Sequence, residues 1–591
     1  MKGRRSKVAS CLLFVVRCFV RGLAAFSSRG LMMLFLSLMI SVTISAQRRT
    51  KPADVTQKNT PNKKQTPNKS ADLNPNGNTN VNPNQNQNDG LTPAARQSVE
   101  KAIAFLDQQN FAEAEKEARI AVNLSPRSTV AHNLLGVILD QQGKTDEALK
   151  ELNTAIRLAP NFVSPKNNLG KLLATQGKLK EAQAQFEAIL KLDPAHLQAR
   201  YNLAALYAET GDFAKAAENF AVLRKANPND PQIAFAFLNV AYRAGRSAEA
   251  DEAANYLEGL AAGDIRTMFT LGIALAQGEQ YERALKLFEK VNQLQPDTFE
   301  VLYNIGLALD NLKRQDEALQ ILSKAADLKP EATEVHFRLG VIASERNDSV
   351  NAVEEFRHCI ERQPANPYFQ YLLGREYFRA GFWEGAINGY TEAIKLNPKE
   401  VVYLVGRANA NYRKGEWLAA AADFDLVAQL QPEYKDIDYL RGYVHRAAGN
   451  FDKARELLEK FVVKNPENIE GLTSLGYVAV EQGRFADAET ALKKVLTLDA
   501  QNPQALFDYA RLAIKQRDYQ GGVTRLEKVI AVNKFNTQAF YQLFLAFSRL
   551  KQTDKANEAL AEFKRLDALE KQAQQERIFD ERARAQKLLG Q

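Results

Sequence analysis

Between residues 169 and 194 the apolar positions fall at helical spacing: Leu169 and Leu173, then, beyond Gly177, Leu179, Ala182, Phe186, Ile189 and Leu192, closed by Pro194. Steps of three and four place such residues on one face of a helix, so the stretch predicts two amphipathic helices. Gly177 divides them, because glycine enters the left-handed conformation at a helix C-terminus without strain. Pro194 ends the second, since proline cannot extend a helix. The same pattern returns every 34 residues.

With Gly170 placed at the eighth position of the unit, position eight reads Ala102, Gly136, Gly170, Ala204, Leu238, Gly272, Gly306, Gly340, Gly374, Ala408, Gly442, Gly476, Ala510 and Phe544. Position twenty reads Ala114, Ala148, Ala182, Ala216, Ala250, Ala284, Ala318, Ala352, Ala386, Ala420, Ala454, Ala488, Gly522 and Ala556. Position thirty-two is proline in ten units, and fourteen units fill residues 94–568 without an insertion or deletion. Small residues at eight and twenty let the paired helices approach, while larger apolar residues at seven, eleven and twenty-four fill the space around them. A bulky residue at position twenty is expected to cost a few kcal/mol by overpacking.

These landmarks resemble the tetratricopeptide repeat, a 34-residue helix–turn–helix unit. The resemblance covers some four fifths of the chain. It implies an all-α fold, an α-solenoid of helix–turn–helix repeats forming a right-handed superhelix, with the first helix of each unit lining a concave groove. Unit five departs from the pattern, with Leu238 at position eight and Ala262 in place of proline. Two readings stand for it: a local change of curvature acting as a hinge, or a variant that repacks. Units thirteen and fourteen lose the closing proline, and residues 569–591 are dense in both signs of charge, as suits the solvating cap that stacked repeats need at their ends.

Composition adds little until it is divided along the chain. The averages (45% apolar, 25% charged) are those of a soluble globular protein. Gly, Cys and long apolar runs are too few for a collagen, a disulfide scaffold or a polytopic membrane protein. The net charge of +8 would suggest nucleic acid as a partner. However, residues 1–94 hold fourteen Lys and Arg against Asp54, Asp72 and Asp89, a net of +11, which leaves the remainder at −3. The basic excess therefore belongs to the N-terminal sixth, and no nucleic-acid partner is expected for the repeats.

Residues 1–46 combine a basic, acid-free flank, an apolar core beginning at Leu31 and small residues ending at Ala46, which describes a secretory signal peptide. An uncleaved membrane anchor and a mitochondrial-type transit peptide are the rival readings, and Met32 or Met33 is an alternative start. Residues 47–93 are rich in Lys, Thr, Pro and Gln, with Asn at every even position from Asn74 to Asn88. Such a stretch has too little to bury and is expected to be disordered, either as a tether or as a plain spacer.

Catalytic and metal-binding patterns are missing from the sequence, so no enzyme activity, cofactor or metal is expected. The five histidines (His132, His196, His336, His358, His445) form no close pair. Cys359, at position twenty-seven, reads as a buried small residue, and it is the one thiol beyond the leader. Gly136 and Gly143-Lys144-Thr145 have the wrong spacing for a phosphate loop. Gly143 sits instead at position fifteen, where Gly recurs at 177, 211, 245, 381, 415, 449 and 483 as a turn residue. The resemblance to repeat-bearing glycosyltransferases stops at the repeats.

Position five is aromatic in nine units: Tyr201, Phe235, Phe269, Tyr303, Phe337, Tyr371, Tyr439, Phe507 and Tyr541. In the family, positions two, five, nine, twelve and thirteen face the groove. These rings are therefore either packing residues between units or contacts for an extended peptide, to which rigid aromatics offer area at low entropy cost. Position nine adds Lys171, Asn239, Arg375, Asn409 and Arg511. Asn168, Asn202 and Asn304 at position six are too sparse for the asparagine ladder by which some members grip a peptide backbone. Chaperone-binding members need Lys at position five for their carboxylate clamp, and no unit has one.

The resulting expectation is an exported (periplasmic or secreted) scaffold without enzymatic activity, with an inner-membrane anchor if the leader is uncleaved. It would bind protein segments in its groove and organise an envelope-associated assembly. An accessory subunit that recruits substrates to a separate transferase or peptidase is the alternative.

Overall fold

The computed structural model describes residues 90–589. The leader and the spacer up to residue 89 lie outside them. The described residues form twenty-eight helices and no strand, arranged as fourteen successive pairs of a first helix A and a second helix B. Every B helix starts at position seventeen, from Phe111 in unit one to Thr553 in unit fourteen. Twelve A helices start at position one. Pro93–Asp107 starts two residues early, and Ile437–Ala447 two residues late, behind the left-handed Asp436.

The turn that ends each A helix is uniform. Position fifteen has positive φ in all fourteen units, and the N–H of position sixteen donates to the carbonyl of position eleven at 2.8–3.0 Å. This closure satisfies a carbonyl that the helix end would otherwise leave open. Eight units use glycine there, and six place Gln109, Glu279, Lys313, Asn347, Arg517 or Lys551 in the same conformation.

The small-residue rule has a concrete cause. A Cβ added to Gly170 would fall 2.6 Å from the Phe186 ring, one on Gly306 2.5 Å from Leu322, and one on Gly340 2.7 Å from Phe356. In each case the large residue at position twenty-four of helix B rests on position eight of helix A. Gly136, Gly272, Gly442 and Gly476 meet their position-twenty-four partners in the same way, and at Gly374 the Tyr390 backbone and ring and the Ala386 carbonyl close the space. At position twenty, Ala148, Ala182, Ala284, Ala318, Ala352, Ala386, Ala454 and Ala488 are fully buried. Unit five carries the exchanged sizes, Leu238 at eight and Ala254 at twenty-four, both fully buried. Its departure is thus a repacking by exchange.

Successive A helices touch one another along the array, whereas contacts between successive B helices are sparser. The A helices therefore form the inner layer. Thr553–Leu589 is one continuous helix of 37 residues, about 55 Å long at 1.5 Å per residue, so the B helix of unit fourteen runs on into the charged C-terminal segment. Its far end lies against the B helix of unit eight, Ser349–Arg362. There Leu588 is only 3% exposed and belongs to an aromatic-rich core with Phe356, Phe369 and Tyr377, while Phe579, between the two anchored ends, is 74% exposed. The charged segment thus returns to the body of the array. Cys359 is fully buried, and burial pushes its thiol up to about 12. Among the described residues, no helix is long and apolar enough to cross a membrane.

Candidate peptide-binding face

The inner layer is made by helices whose starts are fixed locally. Side-chain caps open several A helices: Ser128 accepts from the Ala131 N–H, Asp264 from Thr267, Asn468 from Gly471 and Asn502 from Ala505. Such caps satisfy orphan N–H groups at the helix start. With start and end both pinned, positions five, nine, twelve and thirteen return to the same face in every unit.

At position five, Tyr201, Phe235, Phe269, Tyr303, Phe337, Tyr439 and Phe507 are half-buried, Tyr371 is buried and Tyr541 is exposed. The rings pack first. Tyr201 meets Phe220 edge-on at 5.5 Å, Phe269 meets Phe288 at 5.6 Å and Tyr439 meets Phe461 at 5.2 Å, each on the B helix of its own unit. Phe337 and Tyr371 reach the next unit, at Phe369 and Tyr403. Burial pushes the Tyr303 and Tyr439 hydroxyls up to about 12. Units two and three hold Asn133 and Asn167 at position five, both 1% exposed, and these accept from Asn168 and Asn202 of the following units at 2.9 and 2.8 Å. Two of the three position-six asparagines therefore join neighbouring units, and the third, Asn304, bonds the Glu300 carbonyl of its own helix.

At position nine, Lys171, Asn239 and Asn409 are exposed. Arg375 and Arg511 are not free. Arg375 donates to the fully buried Glu376 and, across the unit boundary, to Ser344 at 3.2 Å, with Arg379 joining the same pair. Arg511 holds the fully buried Asp508 at 3.0 Å and pairs with Glu481 of the preceding unit, which Lys515 also contacts. Burial raises the Asp508 carboxyl above its ordinary value. Asp310, 1% exposed, pairs with Arg338 of the next unit. Sequence reasoning missed these acids. Their signal is an acid beyond the first turn of an A helix, with arginine on the same helix or the next.

A second arrangement spans units ten to thirteen. The Tyr412 hydroxyl donates to that of Tyr443 at 2.9 Å. The Arg446 guanidinium lies 4.6 Å from the centroid of the Tyr443 ring and 5.1 Å from that of Tyr477. Arg511 lies 5.2 Å from Tyr477 and 5.9 Å from Phe507. Rings and guanidinium groups thus alternate along neighbouring A helices, each contact favourable through the ring quadrupole. Among the described residues no cluster of three or more His, Cys, Asp or Glu is placed to hold a metal.

Tetratricopeptide repeat family models match residues 99–161, 167–231, 269–333, 371–435 and 439–503, with further matches at 333–366 and 479–543. The chain belongs to the tetratricopeptide repeat family. It is 29% identical over 102 residues to RNA polymerase II-associated protein 3 of Mus musculus, covering 17% of this chain and 16% of that protein. It is 36% identical over 75 residues to serine/threonine-protein phosphatase 5 of Homo sapiens, covering 13% and 14%. The chain thus spans about a sixth of the length of these relatives. Among solved structures it is similar to yeast Tom70, with 17% identity and a TM-score of 0.26, over 72% of this chain and 96% of that one. As a tetratricopeptide repeat protein, it is a scaffold for protein–protein interaction.

Proposed function

We propose that the chain is an exported scaffold whose inner layer of A helices holds extended protein segments and so organises an envelope-associated assembly. The observation that carries the binding role is the unbroken register of fourteen A helices. It brings ring edges at position five and the exposed Lys171, Asn239 and Asn409 repeatedly to one face. Repetition of that kind suits a long, extended ligand better than a compact one, because each unit adds a similar small contact. The export part rests on the basic, acid-free leader and its apolar core.

Cell fractionation followed by N-terminal sequencing of the mature chain tests the location. A chain beginning near Gln47 in an exported fraction is the expected result. A chain retaining the whole leader in the cytosol overturns the export part and leaves the scaffold role standing. Co-purification of a stoichiometric transferase or peptidase would move the role to that of an accessory subunit.

A further inference from the structure

Arg446 differs from three other half-buried arginines of the inner layer. Arg338, Arg375 and Arg511 each hold a buried carboxylate. Arg446 has the rings of Tyr443 and Tyr477 near it and, among the described residues, no carboxylate in hydrogen-bonding or ion-pair contact. It interacts electrostatically with the buried Asp508, and both of that carboxylate's oxygens are engaged, by Gln504 at 2.9 Å and Arg511 at 3.0 Å. A guanidinium carries five N–H donors in its plane. Tyr443 and Tyr477 engage it through their faces, which leaves that edge unspent. The Tyr443 hydroxyl accepts from Tyr412 and keeps its own proton to donate, and among the described residues the Tyr477 hydroxyl has no hydrogen-bond partner.

We propose that Arg446, with Tyr443 and Tyr477, is a carboxylate-binding site for an acidic side chain of an extended protein segment lying along units ten to thirteen. The proposal rests on the groove reading above and sharpens it to a partner chemistry. Three features favour a peptide ligand. The site lies on the inner layer, where the rings of Tyr412 and Tyr439, 5.4 and 5.8 Å from that of Tyr443, flank it with apolar surface for neighbouring side chains. No carboxylate is in direct contact with the cation among the described residues, in an array whose overall balance is slightly acidic, so its positive potential is local. The stacked rings fix the guanidinium plane before a ligand arrives, which lowers the ordering cost of a bidentate carboxylate bond. The site lacks the Lys at position five on which the chaperone-binding clamp depends.

The test measures binding of the full chain to a fluorescein-labelled peptide of alternating Glu and Phe, its Gln-for-Glu analogue and inorganic phosphate. The Glu peptide should bind, with the Gln analogue and the Arg446→Gln chain each weaker by about tenfold or more, as expected for loss of a charge-assisted hydrogen bond. Arg446→Lys should recover only part of the loss, because an ammonium lacks the planar fork. Equal affinity for the Glu and Gln peptides, or for wild type and Arg446→Gln, overturns the proposal. So does displacement of the peptide by inorganic phosphate at matching concentration, which would mark a site for small anions. Arg446→Gln must keep the wild-type thermal midpoint. If it does not, Tyr477→Leu, which removes one ring and leaves the charge, supplies the same comparison with the same two outcomes. Crosslinking of cellular segments to units one to eight in the Arg446→Gln chain separates failure of this site from failure of the groove reading.

Discussion

At the scale of single residues, two positions set each unit, and both make measurable demands. Position fifteen must be left-handed, and a side chain there costs roughly 1–2 kcal/mol relative to glycine. Lys313→Gly should therefore raise stability by about 1 kcal/mol, read as a higher urea midpoint, while Gly177→Ala should lower it by a similar amount. No change in either would mean that the turn has no bearing on stability. Except in the terminal unit, with Phe544 and Leu560, position eight is small wherever position twenty-four is large. Gly306→Leu alone should destabilise by about 1–3 kcal/mol, because its Cβ meets Leu322. Adding Leu322→Ala recreates the pair found in unit five and should recover more than about 1 kcal/mol in a double-mutant cycle. The glycine pattern was legible in the sequence because the constraint acts within one unit. The six non-glycine turns were not, since their side chains carry no sign of positive φ.

His132 adds a pH dependence. It contacts both Glu151 at 2.5 Å and the Pro126 carbonyl oxygen at 3.0 Å, two acceptors that only the doubly protonated ring can satisfy together. The Glu151 hydrogen bond is the main cause that raises its pKa above the ordinary 6.5. The stability it contributes is complete below pH 6.5 and is lost as pH rises through the raised value. The gap in thermal midpoint between wild type and His132→Gln should thus be widest at acid pH and narrow as pH rises. A gap independent of pH would show that the ring is held neutral.

At the scale of elements, the A–B pairing follows directly from periodicity, and all helix starts but those at Pro93 and Ile437 recur at 34-residue intervals. What the count could not foresee lies between units or far along the chain. The Ser344–Arg375–Glu376–Arg379 group joins residues whose spacing carries no motif. The return of the last helix to unit eight is invisible locally, because Leu588 looks like any other apolar residue on a charged helix. Leu588→Asp should uncover the cluster around Phe356, Phe369 and Tyr377. Amide hydrogen exchange should then speed up in Ser349–Arg362 and leave Leu179–Leu192 of unit three unchanged. Unaltered exchange at both helices would mean that the far end contributes nothing to unit eight.

At the scale of the whole molecule, a chain of 591 residues with a basic pI resolves into a nearly neutral array and a strongly basic N-terminal segment. The fold was legible because one rule repeats fourteen times. The candidate site was legible only as a face. Position five was found, but most of its rings turn out to be partly engaged in packing. Of the position-nine arginines, both are bound to carboxylates, whereas Arg446, at position twelve, is in direct contact with none among the described residues. Periodicity identifies which residues share a face, whereas their free valences depend on neighbours in adjacent units.

The central claim is that the inner layer of A helices holds protein segments. It is tested most directly by a photo-crosslinking amino acid placed in intact cells at Asn239 or Asn409, both exposed on A helices, and in parallel at Lys150 on a B helix. Mass spectrometry then identifies the captured peptides. The account predicts recurrent peptides of the same partner proteins from the A-helix sites and few from Lys150. Capture confined to Lys150, or equal at all three positions, would contradict it.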